Sequence, residues 1–279
     1  MGIKDRRTKI LLSLILLSDV KLEPVNFDDR LQKIFDLSLN QKTRGTISGM
    51  IREGIIEKAT DSIQSLVVSN QSPTGMPAQS NESQKLTIDN PTATANNIYR
   101  LTEKGFYFFC LKFPFFRFLR DSWDKKWRIL SYEIPEKKRE LRDRLRREVS
   151  GWGLGPWHRS FWLTPHPVIE NLSELIYQKE EEKYLQAFES DHALGNADIL
   201  IEKVWQKSDL DKKYREIFKT WHEILSGSGD KLEKFRNVVN KYVEVLKSDP
   251  GLPPELVGKD WIGFEAFNIF KEIRSILLS

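Results

Sequence analysis

The residues KWRILSYEIPEKKRELRDRLRREVSGWGLGPWHRSFWLTP, numbered 126–165, change their hydrophobic spacing twice and thereby decide the fold. Polar and apolar residues alternate over 128–134, which predicts a strand, and the spacing becomes helical over 136–150. Three glycines after the helix predict a turn, and the aromatic run 161–163 predicts a second strand. A strand, a helix, a turn and a strand in this order are half of a ferredoxin-like sandwich.

The predicted helix of this stretch is strongly charged. Its residues 136–150 include seven Lys or Arg side chains against four acids. Salt bridges on a solvated face account for part of such a pattern, but the surplus is basic and suits a polyanion. We therefore predict secondary phosphate contacts from Arg139, Arg142 and Arg146.

Several motifs follow one another along the chain. The first block consists of W-R-I-L-S-Y-E-I-P-E, L-R-D-R-L-R, G-W-G-L-G and F-W-L-T-P. A-D-I-L-I-E-K-V-W follows, and then D-P-G-L-P-P-E-L and D-W-I-G-F-E-A-F. These motifs resemble those of the phenylacetate-degradation repressor (PaaX) family, whose middle domain is related to the spacer-acquisition endonuclease of CRISPR systems, and the last two resemble the family's C-terminal signature. The resemblance covers nearly the whole chain. For the founding family it implies an acyl-CoA ligand that releases the protein from DNA.

Composition bounds the class of protein. A chain of 279 residues with 39% hydrophobic content, 8 Trp and 16 Phe can fill the cores of two or three domains. The net charge is only +4, but residues 1–60 hold eleven basic and eight acidic side chains, and 100–160 hold sixteen and eight. Residues 161–279 hold sixteen basic and twenty-one acidic side chains. We expect a basic front that faces a polyanion and an acidic back that faces solvent or a partner.

The N-terminus and the single cysteine bear on localisation. Basic residues before I-L-L-S-L-I-L-L look like a signal peptide, but no small-residue cleavage site follows. The apolar run is also shorter than the ~20 residues that span a bilayer, so we expect a buried helix. Cys110 alone excludes an internal disulfide framework and is expected to be a small core residue. These features predict a soluble, cytoplasmic protein without a membrane partner.

The first 105 residues predict a winged helix-turn-helix domain. Helical spacing over 3–20, from Asp28 or Asp29, and over 41–53 is followed by the strand-like runs S-I-Q-S-L-V-V, K-L-T-I and I-Y-R-L. The third helix is expected to bury Ile47, Met50 and Ile51 and to enter the major groove of DNA. The alternative is a small helical domain whose exposed charges only keep it soluble.

The third predicted helix supplies the candidate DNA contacts. Side chains that can bond base edges or phosphates are Lys42, Thr43, Arg44, Thr46, Ser48 and Arg52. Gly45 and Gly49 each weaken the helix by ~1 kcal/mol relative to alanine, which close approach to DNA or to a neighbouring helix would explain. The polar segment 69–83 contains no Lys or Arg, so we expect a wing tip rather than a phosphate clamp.

Three further segments follow the winged domain. Residues 106–124 predict an aromatic linker helix that packs the winged domain against the middle one or against a second subunit. Residues 125–195 predict the ferredoxin-like dimerisation domain, and 196–279 predict a helical domain. The aromatic residues of the last segment are expected to form its core, with an apolar effector pocket as the alternative; they are Trp205, Tyr214, Phe218, Trp221 and Trp261.

Catalytic chemistry has one candidate residue. The CRISPR relative binds a divalent metal through an aspartate, and the resemblance places Glu133 at that position. A carboxylate can bind Mg²⁺, but one glutamate is not a site, and pairing with Arg128 or Arg159 is the expected alternative. The four histidines lack zinc-site spacing, and the chain has no nucleophile elbow or P-loop. We expect no cofactor and no enzyme activity.

These observations predict an α+β protein with an N-terminal winged helix-turn-helix, a central ferredoxin-like α/β sandwich and a C-terminal helical domain. The predicted function is a prokaryotic transcriptional repressor that binds double-stranded DNA as a homodimer and responds to a possible small-molecule effector. Two alternatives stay open. One is a metal-dependent nuclease that uses the ferredoxin-like domain, and the other is a nucleic-acid-binding adaptor that docks a protein through its acidic half.

Overall fold

The structure is a computed structural model of the chain, and it describes residues 5–59 and 97–279. The strands predicted over 62–68 and 85–88 and the polar segment 69–83 lie outside the described residues. The chain combines helices with two antiparallel sheets, so the predicted α+β class is confirmed.

Within residues 5–59 and 97–112, the N-terminal unit contains four α-helices and a small antiparallel sheet of order β1-β3-β2. Its elements are α1 (Arg6–Ser18), β1 (Val25–Asn26), α2 (Asp29–Phe35), α3 (Gln41–Arg52), β2 (Ile56–Lys58), β3 (Ile98–Leu101) and α4 (Glu103–Lys112). The first three helices have short polar residues at their N-caps. The side chains of Asp5, Asp28 and Asn40 each accept a hydrogen bond from a backbone N–H of the first turn.

Helix α3 rests on the N-terminal core through one narrow face. Thr43, Ile47 and Met50 are buried, and their spacing of four and three residues keeps them on one side of the helix. The prediction that Ile51 is buried was wrong, because the next position turns away from that side and leaves Ile51 38% exposed. The other sides of α3 are therefore open.

The middle unit is built in the order β-α-β-β-α-β. Its elements are β4 (Lys126–Tyr132), α5 (Arg139–Gly151), β5 (Gly155–His158), β6 (Phe161–Thr164), α6 (Ile169–Ile176) and β7 (Leu185–Asp191). They form one sheet of order β5-β6-β4-β7, in which all neighbouring strands are antiparallel. Leu130, Tyr132 and Trp162 face a core shared with Leu145 and Val149 of α5.

Strand β5 was predicted as part of the glycine turn. A Cβ at Gly155 would lie 2.3 Å from Cγ1 of Val204 and 2.6 Å from Nε1 of Trp205. The backbone of this strand therefore packs directly against two side chains of a later helix. The glycine is required by a tertiary contact, which the local sequence does not reveal.

Five helices complete the chain. They are α7 (Ala197–Trp205), α8 (Lys207–Ser226), α9 (Lys231–Leu246), α10 (Pro254–Val257) and α11 (Ile262–Leu278). Tyr214, Trp221 and Trp261 are buried, and Trp205 and Phe218 are partly buried against the cores. The prediction that this aromatic set is core is confirmed.

The N-terminal unit and the C-terminal helices share one continuous core. Helix α2 packs on α9, and the Arg274 guanidinium of α11 donates a 2.7 Å hydrogen bond to the carbonyl oxygen of Leu16 at the end of α1. Cys110 lies in this core, as predicted, and burial raises the pKa of its thiol to about 12.

The aromatic segment is divided rather than one linker helix. Pro114 ends α4 and begins a 3₁₀ turn, Pro114–Leu119, because proline cannot continue the helical hydrogen bonds. The rings of Phe115 and Phe116 lie 6.1 and 6.0 Å from the ring of Phe267 in α11. The segment thus packs mainly on the C-terminal helices, and the predicted packing on the middle unit holds for Phe118. Among the described helices, none has the length and apolar content to cross a membrane.

Candidate nucleic-acid interface

The outward side of α3 is the candidate surface for nucleic acid. Helical spacing places Ser48 and Arg52 near its centre, with Lys42 and Arg44 on the two flanks, and all four side chains are exposed. The side chains of Lys42 and Arg52 make no hydrogen bond or ion pair with the described part of the chain. Arg44 donates one 3.2 Å hydrogen bond from Nε to the carbonyl oxygen of Leu39 and keeps its terminal nitrogens free of protein partners.

Two threonines of the predicted set do not belong to this outward side. Thr43 is buried, and its hydroxyl donates a 2.6 Å hydrogen bond to the carbonyl oxygen of Ser38. Thr46 is half-buried, and its hydroxyl donates to the carbonyl oxygen of Lys42 at 2.9 Å. Thr43 therefore holds the start of α3 in place instead of facing outwards.

The glycines of α3 lie on the open surface. A Cβ built at Gly45 or at Gly49 would meet nothing within 4 Å. A neighbouring helix among the described residues therefore does not explain either glycine. Gly45 lies on the outward side, three residues before Ser48 and seven before Arg52, and the absent side chain lowers the surface of the helix there.

The acid at the end of α3 is neutralised by a neighbour. The guanidinium of Arg7 donates a 3.2 Å hydrogen bond from Nη1 to Oε1 of Glu53, and this contact lowers the pKa of the Glu53 carboxyl. Lys104 also donates to the backbone oxygen of Glu53 at 2.9 Å. The negative charge nearest the end of α3 is thus balanced by cations within the N-terminal unit.

The second predicted basic surface, on α5, is more heavily paired. Arg142 donates to Glu136 at 2.7 Å, and Arg146 donates to the hydroxyl of Tyr132 at 2.7 Å and to the carbonyl oxygen of Arg159 at 2.9 Å. Arg139 is exposed and lies 3.5 Å from Asp143. These partners hold Arg142 and Arg146 against the protein.

Sequence reasoning did not single out the freest cations of this region. Lys137 and Arg147 are exposed, and neither forms an ion pair with the described residues. The spacing within the helix does not distinguish Lys137 and Arg147 from the paired arginines, because some of the acids that form the ion pairs lie in other elements. Arg144, for example, pairs with the buried Glu181.

Glu133 is exposed and follows the end of β4. The expected pairing with Arg128 or Arg159 is absent among the described residues. Arg128 binds Asp124 and Glu189 instead, at 2.8 and 3.0 Å, because residues 128 and 133 differ by an odd number of positions and point to opposite sides of the sheet. Within residues 5–59 and 97–279, no group of three or more His, Cys, Asp or Glu side chains is placed to bind a metal.

A buried polar junction, which the sequence did not reveal, joins the three parts of the chain. His166, after β6, donates a 2.7 Å hydrogen bond from Nε2 to the carbonyl oxygen of Pro250, and its ring stacks on Phe118 at 5.0 Å. Complete burial lowers the pKa of His166 to about 3, so the ring is neutral. The neighbouring Asp249 is also buried and accepts a hydrogen bond from the hydroxyl of Tyr214.

Two family models match this chain. Residues 120–200 match the family model described as the PaaX protein central Cas2-like domain, and 205–279 match the PaaX-like protein C-terminal domain. No curated protein matches the chain. A solved structure, that of uncharacterized protein Rv0674 from Mycobacterium tuberculosis, is similar at 14% identity and a TM-score of 0.44 over 97% of each chain. The two matched models cover more than half of this chain, which therefore belongs to the PaaX family and has a Cas2-like domain at its centre.

Proposed function

We propose that this PaaX-family chain is a sequence-specific DNA-binding transcription regulator that represses transcription as a homodimer. The family membership supports a regulator. The observation that carries the proposal is the outward side of α3. It presents the unpaired side chains of Lys42 and Arg52, the exposed Ser48 and two glycines, and the opposite side of the helix is buried in the N-terminal core.

The arrangement around α3 supports a winged helix-turn-helix. Three helices precede the β2–β3 pair, and β1 adds to it to give the sheet order β1-β3-β2. In this type of domain the third helix enters the major groove and its exposed side chains reach the base edges. The proposed domain spans residues 1–105, with α3 as its reading helix.

The strand order of the middle unit supports a ferredoxin-like sandwich. Two β-α-β halves, antiparallel neighbours and a central β4 flanked by β6 and β7 are the features of that fold. We keep 125–195 as the proposed dimerisation domain and 196–279 as the helical domain. The 106–124 segment then packs on both the middle unit and the C-terminal helices.

The DNA contacts divide into two groups under this proposal. Arg52, Ser48, Arg44 and Lys42 reach base edges or phosphates from α3, while Thr43 and Thr46 orient that helix. Secondary phosphate contacts come from α5, where Arg139 is the most exposed of the three predicted arginines. Arg142 and Arg146 would have to leave their present partners to contribute.

A small-molecule effector remains part of the proposal, with its chemistry implied only by the family. The aromatic set that the sequence offered as an effector pocket fills the core of the C-terminal helices instead. We therefore propose no effector site between these buried aromatic rings.

The proposal is tested by titrating the full chain onto labelled duplexes and following fluorescence anisotropy. Binding to the chain's own upstream intergenic DNA should exceed binding to a scrambled duplex by at least ~10³ at one salt concentration. Arg52→Ala should weaken the specific complex by about 1–3 kcal/mol. Lys219→Ala is the matched control, since it also removes one exposed and unpaired positive charge, but from α8. Equal affinity of wild type for both duplexes would contradict the proposal.

A further inference from the structure

Arg117, in the 3₁₀ turn after α4, is a buried cation with few partners. Its side chain is only 9% exposed, yet its guanidinium makes no hydrogen bond with the described residues. The nearest acid is Asp121, whose Oδ2 lies 3.6 Å from Nη1 and whose Oδ1 accepts a 3.2 Å hydrogen bond from the hydroxyl of Tyr107. Cζ of Arg117 also lies 5.0 Å from the centre of the Tyr107 ring. These contacts hold the guanidinium in place and leave N–H donors at its edge free.

Arg117 lines a cleft of about 450 Å³ between the N-terminal unit and the middle unit. Tyr107 of α4 lies on one side of this cleft, and the start of α6 and Glu189 of β7 lie on the other. No nitrogen of Arg117 is both unpaired and sealed from solvent, so its free donors are open to the cleft. A cleft of this volume suits a small molecule rather than a single ion.

The first turn of α6 adds further donors to the cleft. This helix begins after Val168 without a side-chain cap, and the backbone N–H groups of Ile169, Glu170 and Asn171 make no hydrogen bond with the described residues. All three residues line the cleft. Free N–H groups at the start of a helix carry partial positive charge and favour an anion. A carboxylate in this cleft can therefore accept hydrogen bonds from Arg117 and from the backbone of α6.

The acids of the cleft decide which kind of anion fits. Glu189 is neutralised, because its carboxylate accepts a 3.0 Å hydrogen bond from Nε of Arg128 and lies 3.7 Å from Nζ of Lys126. Glu170 is exposed and forms no ion pair with the described residues. A phosphate dianion would meet the uncompensated charge of Glu170, whereas a ligand with a positive group beside its carboxylate matches both charges of the cleft.

From these features we infer that the cleft binds a free amino acid, whose α-carboxylate is held by Arg117 and the first turn of α6 and whose α-ammonium is held by Glu170. Tyr107 and Pro167 supply less polar walls for the rest of the ligand. The bound amino acid contacts both α6 and the segment that follows α4, so it ties the N-terminal unit to the middle unit. The inference goes beyond the proposed function, because it assigns a ligand site whether or not the chain reads an operator.

Isothermal titration calorimetry of the full-length chain with each of the standard amino acids tests this inference. At least one of them should bind with a Kd below about 1 mM. For that amino acid, the analogue that lacks the amino group should bind at least about tenfold more weakly, because it cannot pair with Glu170. Inorganic phosphate should not compete. The bound amino acid should also raise the melting temperature of the chain, since it binds the folded state.

Two variants test the two ends of the ligand. Glu170→Gln should reduce the preference for the amino acid over its deaminated analogue to less than about threefold. Glu174→Gln is the matched control, since Glu174 is an exposed and unpaired acid of the same helix outside the described lining of the cleft, and it should bind like wild type. Arg117→Gln should abolish binding. Because Arg117 is buried, the thermal unfolding of this variant is measured alongside, and Glu170→Gln decides the case if Arg117→Gln does not fold.

The inference is overturned if no standard amino acid binds with a Kd below about 1 mM. It is also overturned if the deaminated analogue or inorganic phosphate binds as tightly as the amino acid, because the cleft is then a general anion site. Unchanged binding in a folded Arg117→Gln counts against it in the same way, and so does a preference in Glu170→Gln that equals the preference in Glu174→Gln.

Discussion

The carboxylate of Asp249 accepts a 2.6 Å hydrogen bond from the hydroxyl of Tyr214, deep between the C-terminal helices. Its other oxygen accepts a 2.7 Å hydrogen bond from the backbone N–H of Gly251. The segment that follows Asp249 holds Pro114 of the aromatic segment on one side and His166 of the middle unit on the other. This pair of residues therefore fixes the point at which the three parts of the chain meet.

Stability should depend on pH through Asp249. Burial raises the pKa of this carboxyl from 3.8 to about 6, so the folded chain holds the proton more tightly than the unfolded chain. The protonated carboxyl therefore adds about 3 kcal/mol to the free energy of unfolding below pH 4. This contribution is lost as the pH rises through the folded-state pKa of about 6. In Asp249→Asn, the unfolding free energy relative to wild type should rise by this order between pH 4 and 7.

Urea unfolding at a series of pH values measures this difference. Asp191→Asn is the control, because Asp191 is exposed and unpaired among the described residues, and its difference from wild type should be nearly constant. A difference for Asp249→Asn that does not change with pH would show that the carboxyl is ionised throughout or reached by solvent.

Gly251→Ala should disrupt the junction. Gly251 has a φ of 65°, and a Cβ there would lie 2.2 Å from the backbone carbonyl carbon of Pro114. Gly54→Ala is a matched control, since Gly54 has a φ of 69° and open space around it, so it bears only the backbone strain of ~1 kcal/mol. We expect Gly251→Ala to lower the unfolding free energy by at least ~2 kcal/mol more than Gly54→Ala, measured by chemical denaturation. Equal losses would mean that the chain relaxes around Pro114 without cost.

Gly45→Ala should change stability and DNA binding in opposite directions. Alanine is favoured over glycine inside a helix by ~1 kcal/mol, and the new methyl group meets no atom within 4 Å beyond its chain neighbours and the backbone of its own helix, so the melting temperature should rise. Operator affinity should fall, because the methyl group stands on the outward side of α3. Gly151→Ala, in α5 and also in open space, is the control and should leave operator affinity unchanged. Unchanged affinity in Gly45→Ala would remove this side of α3 from the interface.

The sequence predicted regular elements better than contacts between them. Helix α3, Gln41–Arg52, ends within one residue of the predicted 41–53, because its apolar spacing and the cap at Asn40 are local signals. Strand β5 was missed because Gly155 is required by Trp205, fifty residues further along the chain.

The candidate site shows the same division. Helical spacing identified the third helix and most of its outward side chains. Thr43 was included because its side chain can bond DNA, but its position on the helix is buried. The pairing of Arg146 with Tyr132 depends on how α5 lies on the sheet, which spacing within α5 does not encode. Buried groups such as His166 and Asp249 have no local signature, since their partners are distant in sequence.

In the proposed dimer, two copies of α3 read one operator together. Nuclease footprinting of the wild-type chain on its own upstream intergenic DNA, with scrambled duplex as competitor, tests this most directly. We expect two protected half-sites whose centres are separated by about 10–10.5 base pairs or a multiple of it, because two reading helices related by two-fold symmetry enter successive major grooves on one side of the duplex. Protection should be lost in Arg52→Ala. Uniform protection along the duplex, equally removed by the scrambled competitor, would contradict the account.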